Sequence, residues 1–198
     1  EYPDVIRPAL QIFHTRPGVR VASGLYIMVI RRRVYLFTDA TVNIDPDAET
    51  LAEIAILAAD FARRAGIEPR VAMLSFSNFG SAPHPFSDKV RDAARIVQTK
   101  RPDIACDGEM QADTAVIADI VENRFPFSQV RDANILVFPD LQSANVSYKL
   151  LSRLTDAEAI GPILLGVGAP IHVLQAGDDV EDIVAMAAVA AVDAQNRA

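Results

Sequence analysis

The chain has 198 residues, 51% of them hydrophobic, enough for one or two buried cores. Its net charge of −7 leaves no basic stripe to release counterions from nucleic acid, and its longest apolar run, Ile183 to Val192, is too short to span a bilayer. A single cysteine, Cys106, excludes a disulfide framework and fits a reducing cytoplasm, and the opening Glu-Tyr-Pro-Asp lacks the basic start of a secretory leader.

Pro3 to Phe13 reads as a short helix. Leu25 to Ile30 and Val34 to Thr38 are apolar and β-rich, and the three arginines Arg31 to Arg33 join them as a hairpin. Asp45 and Pro46 give an N-cap and a first-turn proline for a helix that runs to Arg64 and stops before Gly66. Strand and helix patterns then alternate. The strands are Arg70 to Phe76, Ile104 to Asp107, Asn134 to Phe138 and Ile160 to Leu165. The helices are Ser87 to Lys100, Gln111 to Asn123, Ser143 to Arg153 and Val180 to Gln195. This alternation predicts a doubly wound, three-layer α/β sheet, a fold that binds ligands at the carboxyl ends of its strands. The polar loops beginning at Ser77, Asp107, Pro139 and Gly166 follow those strand patterns and are expected at that edge.

The last stretch carries the most chemistry. A strand runs into a loop with Gly166, Gly168 and Pro170, a second break falls at Gly177, and Asp178, Asp179, Glu181 and Asp182 open an alanine-rich helix. Backbone amides ahead of a helix dipole suit an anion, yet four carboxylates oppose one. Either the acids cap the helix and settle its dipole, or one of them faces a ligand as a base. In the second case Ile183, Met186, Ala187 and Ala190 form the buried stripe, with Asp182 at its open end beside the Gly166 to Pro170 loop. Asp107, Glu109 and Asp113 read either as capping and turn residues or as the lining of a cleft. His14, His84 and His172 are scattered without metal-ligand spacing. The third glycine of a dinucleotide fingerprint is missing, and neither a nucleophile elbow nor a Walker loop occurs.

Five ordered blocks resemble the phosphate acetyl/butyryl transferase family: VIRPALQIFHTRPGVRVASGLYIM from Val5, LSFSNFGSA from Leu74, DGEMQAD from Asp107, ILVFPDLQSANVSYKLLSRL from Ile135, and the segment from Gly161. The wording AIGPILLGVGAPIHVLQAGDD resembles a narrower group, the transferase-like C-terminal domain of bacterial hybrid NADP-dependent malic enzymes. The resemblance implies two α/β subdomains across a cleft. Residues 12–165 form the second, and 1–11 with 166–198 belong to a mostly absent first, so the chain reads as a piece of a longer polypeptide. It also implies site residues. Asp182 falls on the family's catalytic aspartate and Arg7 on an arginine that contacts the phosphate side of the substrate. Ser75, Ser77, Asn78, Gly80 and Ser81 offer hydroxyls and amides to coenzyme A. Asp107, Glu109, Asp140, Asn145, Gly166, Gly168 and Gln175 complete the expected ligand-binding set. Lys89, Arg91 and Arg7 are the cations at hand for the phosphates of coenzyme A.

The resemblance also has departures. A family serine and arginine fall on Gln175 and Ala176, and a further serine falls on Tyr2. Losing one charge-assisted phosphate contact costs about 1.5–3 kcal/mol, and losing an oxyanion donor costs roughly 100- to 1,000-fold in rate. The expectation is therefore a regulatory domain of a malic enzyme, self-associating, cytoplasmic and inactive as a transferase, that senses acetyl-CoA or CoA. NADP and a divalent metal would then belong to the missing part of the parent. The alternatives are an active phosphate acetyltransferase and a purely structural dimerisation module.

Overall fold

The computed structural model describes residues 2–174 and 177–195, and of residues 2–5 and 7 the backbone only. In chain order, α1 (Tyr2–Phe13) leads into β1 (Ser23–Ile30) and β2 (Arg33–Thr38), followed by α2 (Ala48–Arg64), β3 (Arg70–Leu74), α3 (Pro85–Lys100) and β4 (Ala105–Met110). Two short helices, α4 (Ala112–Val116) and α5 (Ala118–Arg124), precede β5 (Ile135–Val137), α6 (Leu141–Leu154), β6 (Glu158–Leu165) and α7 (Val180–Gln195).

The strands form one sheet in the order β4-β3-β5-β2-β1-β6. β4, β3, β5 and β2 are parallel, and β1 runs antiparallel to both β2 and β6. Arg31 and Arg32 take φ of 50° and 65°, the left-handed pair that a two-residue hairpin between twisted strands requires. Strand alternation sorts the two cores. Val71 and Met73 join Ile135, Val137 and Leu36 under α2 and α3, whereas Ala72, Leu74, Leu136 and Phe37 face the layer of α4 and α6. The expected doubly wound, three-layer α/β architecture is what the chain adopts.

The elements differ from the sequence expectation at three places. Asp47, rather than Asp45, caps α2 by accepting the Thr50 amide at 2.8 Å, because Asp45 is turned to the Lys89 ammonium 2.8 Å away. The helix expected from Gln111 to Asn123 breaks at Ile117, whose backbone is extended; the Ala115 carbonyl accepts the Ala133 amide at 2.8 Å instead of continuing the helical ladder. On α7 only Met186 of the expected stripe is buried, while Ile183 and Ala187 are exposed and Ala190 is half-buried. The inward face carries Met186, Val189 and Asp193, and Asp193 is buried beside the Arg64 guanidinium (3.5 Å) and His172 Nε2 (3.4 Å). Among the described residues no helix is long and apolar enough to cross a membrane.

Cys106 lies on β4 with no exposed surface. Burial, and next the Asp107 carboxylate, push its thiol far above the ordinary range, so the nucleophilic thiolate is scarce. A disulfide reagent is expected to label it only as the protein unfolds. Stoichiometric labelling of the native protein within minutes, read by absorbance, would contradict this.

Candidate functional site

From β3 the chain passes outward to β4, and from β5 it passes the other way towards β6, so the strand order reverses between β3 and β5. Such a reversal leaves a crevice at the carboxyl ends of the strands. A cleft of about 620 Å³ lies there, between Leu74, Ser75 and Phe76 on one side and Phe138, Pro139 and Asp140 on the other. Ile44, Phe86 and Lys89 add to its walls, and Gln142, Ser143 and Ser147 present the first turns of α6.

Of the site residues expected from sequence, Ser75 and Asp140 line this cleft. Asp140 is also the N-cap of α6, accepting the Ser143 amide at 2.7 Å. Asn145 is half-buried one turn further along α6. Behind the cleft the loop after β3 is tied to the end of β4. Glu109 Oε1 accepts the Ser77 hydroxyl at 2.8 Å and the Gly80 amide at 2.6 Å, and its backbone carbonyl accepts the Phe79 amide at 2.8 Å. Arg91 reaches to 3.6 Å of the same carboxylate, and Glu109 Oε2 has no hydrogen-bond partner among the described residues. Asn78 and Gln111 exchange two hydrogen bonds of 2.9 and 2.8 Å, and Ser81 Oγ accepts the Asn78 amide at 2.9 Å. Ser77 and Glu109 are fully buried, and Asp107 accepts the Ser128 hydroxyl and the Gln129 amide at 2.9 Å each. Ser77 and Glu109 hold the loop after β3 in shape from behind, Asp107 fastens the segment between α5 and β5, and none of the three lines the cleft. Gly80 and Ser81 sit on the loop's outer turn. Lys89 is on the cleft wall, whereas Arg91 is turned to Asp88 and Glu109.

Gly166 and Gly168 are where α1 closes on the sheet. An added Cβ would meet the Val21 carbonyl oxygen at 2.3 Å from Gly166, and that of Phe13 at 2.5 Å from Gly168. The Gly168 amide donates to the His14 carbonyl at 2.9 Å. From here the chain turns back, with His172 bridged antiparallel to Ile163, and so carries the start of α7 towards the amino end of β6.

There Asp182 is half-buried and lines a second pocket of about 370 Å³ with Asp178, Tyr26, Tyr148, Lys149 and Arg153. Its wall on β6 is Ala159 to Gly161, about 16 Å along the strand from Gly166. The expectation that Asp182 stands beside the Gly166 to Pro170 loop is thus corrected, and the reversal at His172 is the reason. The capping reading of the acidic helix start holds, with Asp182 Oδ2 accepting the Asp179 amide at 3.4 Å. Asp179 Oδ1 accepts the Asp182 amide at 3.0 Å as a cap, while the Asp182 carboxylate lines the pocket. Lys149 and Arg153, unremarked in the sequence, are four residues apart on α6, the spacing that puts two cations on one helix face. Tyr148 stacks on Tyr26 with ring centroids 4.2 Å apart and closes the floor. Gln175 and Ala176, and the side chains of Arg7 and Tyr2, lie outside the described residues.

One further carboxylate escaped the sequence reading. Asp39, at the end of β2 and 2% exposed, accepts the amides of Gly24 (3.0 Å), Thr41 (2.8 Å), Val42 (3.0 Å) and Asn43 (2.9 Å). Burial pushes its pKa up, and the amides of Val42, Thr41 and Asn43 pull against that. It shapes the loop that brings Ile44 and Asp45 to the cleft. An acid just past a β-rich run reads in sequence as an ordinary turn residue.

The model of the family described as phosphate acetyl/butaryl transferase matches residues 1–191. Phosphate acetyltransferases of Thermoanaerobacterium thermosaccharolyticum and Bacillus subtilis are 48% and 45% identical to the chain, over 97% and 96% of it and 61% and 59% of their own length. A crystal structure of a phosphotransacetylase from Streptococcus pyogenes superposes with a TM-score of 0.93 at 44% identity, over 98% of this chain and 60% of that one. A phosphotransacetylase from Staphylococcus aureus gives 0.91 at 38% identity, over 96% and 59%. The chain therefore spans about 60% of the length of the relatives it matches.

These relatives overturn the narrower expectation. Proteins 44–48% identical over nearly the whole chain are named phosphate acetyltransferase, which displaces the inactive regulatory domain of a malic enzyme, and with it the oxidoreductase role, the NADP and the divalent metal. The blocks from Val5 to the acidic start of α7 are those of the phosphate acetyl/butaryl transferase family, to which the chain belongs.

Proposed function

We propose that the protein carrying this chain transfers an acetyl group between phosphate and the thiol of coenzyme A, and that the chemistry takes place at the Asp182 pocket. The observation that carries this reading is the company Asp182 keeps: a half-buried carboxylate and two cationic side chains, Lys149 and Arg153, line one pocket. Thiol and phosphate chemistry asks for both. In the direction of acetyl-CoA synthesis, Asp182 takes the thiol proton of coenzyme A and the sulfur attacks the carbonyl carbon of acetyl phosphate. The bond from that carbon to the phosphate oxygen then breaks, and inorganic phosphate leaves. Lys149 and Arg153 supply positive charge to the phosphate oxygens as charge builds on them. Coenzyme A and acetyl-CoA are the ligands of this reading.

The division expected from the resemblance, 12–165 in one subdomain and 1–11 with 166–198 in another, is proposed alongside. Its support is the outward face of α7, where Val180, Ile183, Val184 and Val192 are 43–74% exposed, a face suited to cover by a neighbouring layer.

The test is acetyl-CoA formation from acetyl phosphate and coenzyme A by the full-length protein, followed through thioester absorbance. Steady turnover dependent on both substrates is expected. Absence of thioester above the rate without enzyme would refute the reading.

A further inference from the structure

We propose that Asp193, gripped by Arg64 and His172, is a positioning residue for the reaction: it fixes the rotation and height of α7 and so places the Asp182 carboxylate in its pocket. The role of Asp182 rests on the transferase reading above; the grip on α7 rests on the fold alone.

The helix connects the two acids. Asp193 follows Asp182 by eleven residues, which is about three turns and a further 20°, so both stand on one face roughly 17 Å apart. Between them the same face carries Met186, which lines the Asp182 pocket, and Val189. These apolar contacts hold α7 down without indexing it. Methionine adapts to several packings, and the many alanines of α7 give a shallow surface that can slide. At the helix start Val180, Ile183 and Val184 are exposed and add no anchor on the sheet side.

Asp193 does index the helix. Its side chain is 1% exposed, and a carboxylate kept from water is tolerated only where cationic or polar groups meet it. Two such groups come from different elements. Arg64, in the last turn of α2, brings its guanidinium to 3.5 Å of Oδ1. His172, in the segment returning from β6, brings Nε2 to 3.4 Å of Oδ2. The His172 side chain is 3% exposed, and neither ring nitrogen has a hydrogen-bond partner among the described residues, so the carboxylate is the polar group it faces. Moving α7 by one residue would swing Asp193 through about 100° and leave these groups buried without one another. An apolar side chain would carry no such preference. Ile27, Phe61, Ala65 and Val192 border a cavity of about 240 Å³ beside Asp193 and would accept it in more than one position.

The cations of the pocket are independent of this grip. Lys149 and Arg153 lie on α6 and do not move with α7, so a fault in the grip is expected in kcat rather than in KM.

The test is Arg64→Met combined with Asp193→Leu in the full-length protein, which keeps the docking face apolar and removes its charges. The unfolding midpoint is expected at or above the wild-type value, since packed apolar groups replace a buried ion pair at little cost. kcat for acetyl transfer is expected to fall by about 10- to 100-fold, the loss that a displacement of about 1 Å brings, with KM for acetyl phosphate and for coenzyme A within about threefold. A crystal structure of the double variant should show Asp182 moved by about that distance relative to Lys149 and Arg153. His172→Leu should give a smaller fall in kcat of the same kind, and His172→Gln, whose amide reaches the place of Nε2, should restore it. Asp193→Asn, which keeps the shape and removes the charge, decides by the same readouts if the double variant does not fold. A wild-type kcat, or an Asp182 unmoved in the crystal, would overturn the proposal. So would a kcat that falls only in step with stability, the mark of a merely structural role. A wild type that transfers no acetyl group, together with a displaced α7 in the variant, would remove the transferase reading and leave the grip on α7 standing.

Discussion

Asp182→Asn is expected to lower kcat for acetyl transfer by about 100- to 10,000-fold, the range that a positioned general base contributes. The substitution is chosen because it keeps everything else. Asparagine has nearly the same shape and still offers an oxygen to the first turn of α7. The helix start does not depend on the lost charge, since Asp179 Oδ1 accepts the amide of residue 182. The proposed reaction assigns substrate binding to other groups, Lys149 and Arg153 among them, so KM for acetyl phosphate and for coenzyme A should change by only a few fold. The unfolding midpoint should stay where it is. A fall in kcat with unchanged stability isolates the proton acceptor. A variant that turns over at the wild-type rate would show that the carboxylate does no more than dress a helix terminus.

Local chemistry was legible in the sequence wherever it decided the outcome alone. α7 begins and ends where the acidic start and alanine-rich run indicate, and the Arg31 to Arg33 linker marked the hairpin, because both depend on neighbours in the chain. The misplaced cap of α2 shows the limit. The Asp-Pro-Asp stretch offers two caps of equal local merit, and Lys89, forty-four residues away, decides between them by engaging Asp45. The break at Ile117 has a similar origin, because the carbonyl that would continue the helix is taken by Ala133. Periodicity cannot register a partner that arrives from a distant part of the chain.

The site divides along the same line. The five blocks identify the family, and Ser75 and Asp140 stand where a strand-end reading puts them. Glu109 illustrates what composition hides. Asp107 and Glu109 lie on either side of a register shift in β4, so strand alternation does not put them on one side, yet both are buried. The resemblance implied ligand contact; in the fold Glu109 fastens Ser77 and Gly80 in the loop after β3, and Asp107 fastens Ser128 and Gln129 between α5 and β5. The distance from Gly166 to Asp182 was invisible for another reason. The fourteen residues between β6 and α7 can return along a strand or leave it, and the bridge between His172 and Ile163 shows that this segment returns.

Asp39→Ala is expected to cost about 3–5 kcal/mol of folding stability, with the unfolding curve in urea shifted to lower denaturant at an unchanged slope. Four backbone amides, those of Gly24, Thr41, Val42 and Asn43, end on this one carboxylate. Each amide left without an acceptor away from water costs about 1–3 kcal/mol, and relaxation of the partly buried ones keeps the total below the simple sum. Asp39→Asn retains one acceptor oxygen and should lose roughly half as much. The pH dependence has a defined sign. Burial raises the folded pKa of Asp39 above its unfolded value, so its contribution is complete below about pH 3.9 and weakens as pH rises through the folded value. The gap between wild type and Asp39→Ala should therefore narrow as unfolding is measured at higher pH. Function follows from the loop. The chain from Asp39 carries Ile44, whose carbonyl accepts the Leu141 amide at 3.0 Å and braces the start of α6 at the cleft. Asp39→Ala should consequently raise KM for coenzyme A more than it lowers kcat. A stability loss below about 1 kcal/mol would mean that water replaces the carboxylate and that the loop holds its shape without it.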